Sequence, residues 1–123
     1  MRAISVVPRL TLPTPRQKRR TAQRLELALP VEIFDGQGIA FATATNLSSG
    51  GMFVAGDLDY GIGTQLHVRM SVAARSMVVA VEVRWVKSDG GARGLGLRFV
   101  RVKQPDLEHI LEFVHEQRRV RAL

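Results

Sequence analysis

The sequence predicts an all-β domain that ends in a single helix. Apolar residues alternate with other residues in six short segments, which are roughly evenly spaced and mostly separated by polar or glycine-containing turns. A period of two is typical of strands that bury one face, and six such strands favour an antiparallel barrel or sandwich. Near the C-terminus the apolar residues change to helical spacing, which indicates that a helix follows the last strand.

The first two strands are predicted to form a hairpin around a turn at residues 35–38. Residues 25–33 alternate regularly, with Pro30 on the face opposite the leucines. Because proline cannot donate to a ladder of hydrogen bonds, we expect this strand to lie at an edge or to be bulged at Pro30. The second strand is predicted from five alternating residues, namely Ile39, Phe41, Thr43, Thr45 and Leu47.

The remaining four strands are predicted around residues 52–54, 66–70, 77–85 and 95–99. Trp85 continues the alternation of its strand, and large aromatic side chains dominate core burial, so we expect it to lie in the core. The helix is predicted with Pro105 in its first turn, and we expect it to cover one open end of the barrel. Its buried face is predicted from Leu107, Ile110, Leu111 and Val114.

Positive charge is concentrated near both ends of the chain, and the formal net charge is +7. Such clusters predict an anionic partner, which could be nucleic acid, a nucleotide or a membrane surface; a solvated basic tail is the alternative. We expect residues 1–15 to form a flexible arm, residues 16–117 the domain and residues 118–123 a basic tail. The basic residues are Arg16, Lys18, Arg19, Arg20 and Arg24 near the start and Arg118, Arg119 and Arg121 near the end.

The composition also limits where the protein works. The chain has no cysteine, so disulfides and thiolate metal sites are excluded. It has no run of about 18 apolar residues, and its N-terminal segment lacks the apolar stretch and cleavage site of a signal peptide. We therefore expect a cytoplasmic protein without membrane insertion.

No pattern in the chain predicts catalysis. The three histidines are His67, His109 and His115, and the last two are six residues apart, a spacing that does not place both on one helical face for a metal ion. Gly94 and Gly96 are not followed by the Gly-Lys-Ser/Thr of a phosphate-binding loop. We therefore expect a binding protein with no catalytic residue and no metal site.

Two short motifs flank the predicted opening hairpin. Arg20-Thr21-Ala22-Gln23-Arg24 reads RxxxR just before the first strand, and Asn46-Leu47-Ser48-Ser49-Gly50-Gly51 reads NxSxxG at the turn after the hairpin. Their order and their all-β setting resemble the PilZ family, whose second motif is usually D/NxSxxG. The resemblance spans roughly residues 16–115 and includes Leu29-Pro30-Val31, Arg84-Trp85-Val86 and Gly94-Leu95-Gly96-Leu97-Arg98-Phe99.

The resemblance implies a six-stranded antiparallel β-barrel of the PilZ type that binds cyclic di-GMP. In that family the two arginines hold the ligand phosphates and stack on or bond guanine, the Asp or Asn and the Ser contact a guanine edge, and the glycine permits the turn. These roles fall on Arg20, Arg24, Asn46, Ser48 and Gly51. Arginine suits this ligand because its planar fork pairs bidentately with phosphate oxygens or with guanine O6 and N7.

Five further residues are candidates for ligand contact. An alternative RxxxR begins at Arg16, and Arg19 lies beside the motif, so both are secondary candidates. Gly50 allows backbone N–H groups to approach a ligand closely, and Ser49 belongs to the same turn. Arg98 lies on a strand that could face the ligand, and so does Trp85, although its alternation favours the core.

Asn46 stands where aspartate is the commoner residue of the family. A neutral amide lacks the charged acceptor for guanine N1–H and N2–H, and hydrogen bonds to charged groups are stronger than neutral ones. We therefore expect a lower affinity than an aspartate would give.

Taken with the resemblance, these features predict a bacterial second-messenger receptor. We expect cyclic di-GMP to draw a loose basic arm onto the barrel mouth, so that a protein partner recognises the ordered surface. A PilZ-like adaptor that binds protein without ligand is the alternative, against which the retained RxxxR argues. Nucleic acid is a third partner class, but most aromatic residues occupy predicted core positions and leave no stacking platform. Motility and exopolysaccharide production are among the processes that the family controls.

Overall fold

The computed structural model describes residues 24–88 and 93–123, where alternating apolar side chains line the inside of a closed antiparallel barrel. The strands are β1 (Leu25–Phe34), β2 (Ile39–Leu47), β3 (Gly51–Ala55), β4 (Gln65–Val72), β5 (Arg75–Lys87) and β6 (Gly94–Arg101), and the helix is α1 (Gln104–Arg121). Around the barrel the order is β1-β2-β3-β6-β5-β4. The predicted fold class is confirmed, and the barrel is the architecture that forms.

The barrel interior is filled by aliphatic side chains. Every second residue of β4 is buried, and the same alternation continues along the first two thirds of β5. Ile33, Val68 and Val81 have no accessible surface at all. Burial of each such side chain contributes roughly 1.5–3 kcal/mol, so this interior is the main source of stability.

The alternation of β2 has the opposite phase from the one predicted. Phe41 is 73% exposed and Ile39 is also exposed, whereas Ala40, Ala42 and Ala44 face inward. The prediction assigned the larger apolar side chains of β2 to the buried face. The inward positions carry alanine instead, and these small side chains leave interior space to the residues of neighbouring strands. Thr43 and Thr45 are likewise exposed. A β-bulge between Ala44 and Asn46 then returns Leu47 to the core.

β1 has a neighbouring strand on both sides for only part of its length. It pairs with β2 along its whole length, with a bulge between Glu26 and Leu29. Its described pairing with β4 covers residues 31–34 alone, and the last pair is Val31 with Met70. β4 ends at Val72, so it does not extend to the start of β1. Pro30 therefore lies next to the bulge and just outside the doubly paired segment, as its lack of a donor predicts.

The turn between β1 and β2 lies at residues 35–38, as predicted. Asp35 accepts the N–H groups of Gln37 at 2.8 Å and Gly38 at 2.9 Å, and its other oxygen accepts the Tyr60 hydroxyl at 2.9 Å. The Gln37 N–H, followed by the Tyr60 hydroxyl and the Gly38 N–H, lowers the pKa of Asp35 because each favours the ionised carboxylate. Desolvation, together with the Asp35 carboxylate, raises the pKa of Tyr60.

α1 begins after Lys103 and has Pro105 in its first turn, as predicted, and it packs against β1 and β4. Its buried residues are Asp106, Ile110 and Val114, which are spaced four apart and form a single row. Leu111 was predicted to be buried but is 46% exposed, because it lies beside the buried row and not in it. The helix continues through Arg121, so residues 118–121 form its last turn.

In the described part of the chain, no helix combines the length and the hydropathy that crossing a membrane requires.

The hairpin between β4 and β5 contains two alanines in the left-handed conformation. Val72 pairs with Arg75, and the two turn residues have φ values of 47° at Ala73 and 69° at Ala74. Both ends of this turn are held by α1, since Arg75 Nε donates to Asp106 at 3.0 Å and His109 Nε2 lies 2.6 Å from the Val72 carbonyl oxygen. Packing of the helix therefore holds the turn in a conformation that alanine disfavours.

Replacing Ala73 and Ala74 together by Asn and Gly is expected to stabilise the protein by roughly 1–2 kcal/mol. Asparagine and glycine adopt positive φ at a lower cost than alanine, and they are the preferred pair in such two-residue turns. Urea unfolding followed by circular dichroism measures the change as a higher midpoint at an unchanged slope.

The control is Ala40→Gly, which removes the same methyl group as the change at Ala74 but at a regularly paired strand position, and it is expected to destabilise by roughly 0.5–1 kcal/mol or more. An unfolding midpoint of the Asn-Gly variant at or below that of the unchanged protein would show that the alanine turn carries no strain.

Candidate ligand-binding site

The turn between β2 and β3 is closed by its own hydrogen bonds. Ser48 is buried, its N–H donates to the Gly51 carbonyl at 2.9 Å, and its Oγ accepts the Gly50 N–H at 3.2 Å. The Gly50 carbonyl in turn accepts the Phe99 N–H at 2.9 Å, which ties the turn to β6. The turn is therefore held in one conformation by contacts within the protein.

Gly51 lies where β3 approaches β6 most tightly. A Cβ at this position would be only 2.0 Å from the carbonyl oxygen of Leu97, a backbone atom that cannot move without breaking the sheet. A Cβ on the neighbouring Gly50 would meet nothing closer than Ser48 Oγ at 3.9 Å. The strict need for glycine therefore falls on position 51.

Asn46 and Ser49 make contacts of other kinds. Asn46 Oδ1 accepts the N–H of Phe53, its partner on β3, at 3.1 Å. This hydrogen bond lies next to the bulge in β2. Ser49 lines a separate groove beside α1, together with Leu111 and His115. The structure thus gives Asn46 a role in holding the hairpin.

A bulge in β5 turns Trp85 to the outside of the barrel. Val83 pairs with Leu97 and Trp85 with Gly96, so Arg84 is an extra residue that opposes none on β6. One extra residue reverses the face on which the next side chain lies. Trp85 is consequently 43% exposed, and its predicted place in the core is wrong.

Gly96 is the middle residue of a row that runs across three strands on the outer face. Phe53 on β3 and Trp85 on β5 both pair with it. A Cβ on Gly96 would lie 2.0 Å from the indole Nε1, and the two aromatic rings stack with centroids 5.0 Å apart and planes 24° apart. The missing side chain lets the two rings meet.

A cleft of about 500 Å³ opens on the outer wall where these features come together. Its volume lies within the usual range for small-molecule sites. Arg98, which lines the cleft, forms an ion pair with Glu82, in which Arg98 Nη2 lies 3.3 Å from Glu82 Oε1. The lining residues are Arg24, Ser48, Gly50, Gly51, Met52, Arg84, Trp85, Gly96, Leu97 and Arg98.

The cleft is strongly basic. Three guanidinium groups line it, from Arg24, Arg84 and Arg98, and the carboxylate of Glu82 offsets part of one of them. These cations favour an anionic ligand, and the exposed indole of Trp85 offers a flat apolar surface beside them. In residues 24–88 and 93–123, no three His, Asp or Glu side chains are close enough to share a metal ion.

Half of the predicted site residues line this cleft, namely Arg24, Ser48, Gly50, Gly51 and Arg98. Asn46 and Ser49 do not, and Arg16, Arg19 and Arg20 lie outside the described residues. Arg84 and Trp85 were missing from the predicted site. One signal in the sequence could have indicated Trp85. The next strand carries Gly94 and Gly96, and glycine in a strand leaves room for a neighbouring ring to lie over it.

The PilZ domain family matches residues 18–116, which is most of the chain. This chain belongs to the PilZ domain family. PilZ domains are receptor domains without enzymatic activity. No curated protein matches the chain in sequence.

Solved PilZ structures share the fold at low sequence identity. The Bacillus subtilis inhibitor of motility MotI/DgrA has a TM-score of 0.78 at 20% identity, over 86% of this chain and 54% of that one. Escherichia coli YcgR in complex with c-di-GMP has a TM-score of 0.74 at 13% identity, over 85% and 48%. The PilZ domain of YcgR with c-di-GMP has a TM-score of 0.66 at 13% identity, over 84% and 96%. This chain therefore spans about half the length of MotI/DgrA and of full YcgR.

Gly51→Ala is expected to destabilise the PilZ domain by roughly 1–3 kcal/mol, because the added methyl group collides with the Leu97 carbonyl. Gly50→Ala is the matched control, since the same methyl group one residue earlier meets open space. Thermal and urea unfolding of the two variants measure the difference. Equal unfolding midpoints for the two variants would contradict the close approach of β3 and β6.

Proposed function

We propose that this PilZ domain is a receptor for cyclic di-GMP that passes the level of the second messenger to a partner protein. One observation carries the proposal: three arginines, an exposed tryptophan and a closed polar turn converge on one cleft of the outer wall. The fold brings these groups together from the start of β1, the β2–β3 turn, the end of β5 and the middle of β6.

The chemistry of the cleft suits a cyclic dinucleotide in both of its parts. Each phosphodiester is an anion that an arginine fork pairs with bidentately, and each guanine offers O6 and N7 to the same kind of fork. The indole of Trp85 is a surface on which a guanine can stack. Three such forks around one aromatic face would recognise phosphate and base together.

The solved relatives support the choice of ligand. Structures with c-di-GMP exist for YcgR of Escherichia coli, for MrkH of K. pneumonia and for PlzA of Borreliella burgdorferi. Each of them shares the barrel fold with this chain at 12–13% identity. The similarity to these structures supports the fold alone. The arginines and the tryptophan of the cleft are the reason for proposing the same ligand.

The signal would be transmitted through the basic segment that precedes β1. Arg24 stands at the rim of the cleft, and Arg20, Arg19 and Arg16 precede it in the chain. Neutralisation by two phosphates would draw this segment onto the cleft, and a segment that becomes ordered is a common form of switch. The ordered surface would then be bound by a protein effector in the cytoplasm. Control of motility or of exopolysaccharide production fits this role, and MotI/DgrA is by name an inhibitor of motility.

Asn46 lies outside the lining of the cleft and would join the site only through one half of its amide. Its Oδ1 already accepts the Phe53 N–H, so Nδ2 is the group that would reach the ligand. An N–H donor suits guanine O6 or N7 rather than the N1–H and N2–H edge that an aspartate would accept.

Isothermal titration calorimetry of the full chain with cyclic di-GMP tests the proposal. We expect saturable binding, and we expect Arg20→Ala and Arg24→Ala each to weaken it about tenfold or more, because each removes hydrogen bonds to a charged phosphate worth about 1.5–3 kcal/mol. Arg69→Ala is the control, since Arg69 pairs with Glu32 and neither residue lines the cleft. It removes the same charge and should leave binding unchanged.

Absence of heat from folded protein would falsify the proposal. Capture of a protein partner that ignores the nucleotide would then favour the ligand-independent adaptor. Salt-sensitive binding of any DNA or RNA, with no preference for the cyclic dinucleotide, would instead indicate nucleic acid as the partner.

Fluorescence offers a second test, because Trp85 is the only tryptophan of the chain and lines the cleft. Stacking of a guanine on the indole is expected to change its emission with the same midpoint as the calorimetric titration. Trp85→Ala should weaken binding by about 1–3 kcal/mol, while Trp85→Phe, which keeps a ring, should lose less. Calorimetric saturation with unchanged emission would show that the ligand does not meet Trp85.

A further inference from the structure

The last turn of α1 is hydrogen-bonded to the backbone at the start of β1. Arg118 Nη1 donates to the carbonyl oxygen of Arg24 at 3.1 Å, and Arg121 Nη1 donates to that of Glu26 at 2.6 Å. These contacts join residues 94 and 95 positions apart in sequence. They link the end of the helix to the start of β1.

Both hydrogen bonds fall on one edge of β1. Carbonyl groups two residues apart, such as those of Arg24 and Glu26, point to the same side of a strand. The described pairing of β1 with β4 covers only residues 31–34, so it does not reach these two carbonyl groups. The two arginines are three residues apart on α1, so they lie on the same face of the helix. Arginine side chains thus occupy positions along β1 that a neighbouring strand would otherwise fill.

Arg24 belongs to two neighbouring clefts at once. Its side chain lines the candidate ligand cleft, and it also lines a smaller cleft of about 370 Å³ with Arg118 and Arg121. Arg118 and Arg121 do not line the ligand cleft. They act on the backbone of residues 24 and 26, which sets where the Arg24 guanidinium can reach.

We infer that Arg118 and Arg121 are positioning residues for the nucleotide, acting through Arg24. The inference rests on the proposed function and extends it to the far end of the chain. Fixing the Arg24 backbone reduces the conformational freedom that Arg24 loses when it binds a ligand, which raises affinity. Coupling is reciprocal, so the bound nucleotide also holds the last turn of α1 against β1. The helix end thereby becomes a second element that reports the bound state.

Arg119 provides a matched control within the same helical turn. Its guanidinium pairs with Glu116 on α1 itself. Arg119→Ala therefore removes the same charge from the same helical turn, and it leaves both hydrogen bonds to β1 in place. A difference between Arg119→Ala and Arg118→Ala separates the hydrogen bond from the general attraction of positive charge.

The test is calorimetric titration of the full chain and its variants with cyclic di-GMP. We expect Arg118→Ala and Arg121→Ala each to raise Kd roughly 5- to 30-fold, within the usual range of coupling between sites. Arg119→Ala should stay within about 2-fold of the unchanged chain, since distant exposed charges are largely screened. Arg118→Lys, which keeps one donor, should recover part of the lost affinity.

Hydrogen exchange supplies a readout that a purely structural role would not move. In the unchanged chain, saturating nucleotide is expected to slow exchange of the amides at residues 118–123, and Arg118→Ala with Arg121→Ala should abolish that protection. Nucleotide binding with equal Kd for Arg118→Ala and Arg119→Ala, and no protection of the helix end, would overturn this inference alone. No binding by the unchanged chain would overturn it together with the proposed function.

Discussion

The candidate site depends on the space that Gly96 leaves between two aromatic rings. Strands β3 and β5 lie on either side of β6, and at this row each presents a large ring to the outer face. With any side chain at Gly96 the indole of Trp85 would have to move, since a Cβ would fall 2.0 Å from it. The stacked rings fix the indole beside the arginines. A flat surface for a base and the cations for a phosphate are thereby held on one wall.

The outward position of Trp85 has a second cause, the extra residue at Arg84. A strand that alternated without interruption would have placed the indole inside the barrel and Arg84 outside. The bulge ends the core face of β5 at Val83 and brings both Arg84 and Trp85 to the cleft. Bulges also interrupt β1 and β2 near the polar turn. In β5 the alternating run before the bulge lines the core, and the two residues after Val83 line the candidate site.

The strands and the helix could be predicted from the sequence, but the face on which each side chain lies could not be predicted for every strand. Alternation identified all six strands and the helix because burial of apolar side chains determines them. It misassigned β2, where small alanines face inward and Phe41 faces outward, and it misassigned Trp85, because a bulge reverses the face without changing composition. The two motifs contain four of the residues that line the cleft, and Arg98 was predicted from its place on a strand. Arg84 was missed because its place depends on that bulge, and the contacts of Arg118 depend on where a distant helix ends.

β1 explains why ligand recognition and the helix end lie together. A closed barrel leaves no free strand edge, yet β4 is too short to accompany β1 to its start. The exposed edge is a liability in a small β protein, and covering it is a general requirement. Here α1 meets that requirement with arginine donors, at the point where the RxxxR motif joins the barrel. A ligand that moved Arg24 would therefore act on the same edge that holds the helix, and this contact is the physical route on which the proposed coupling rests.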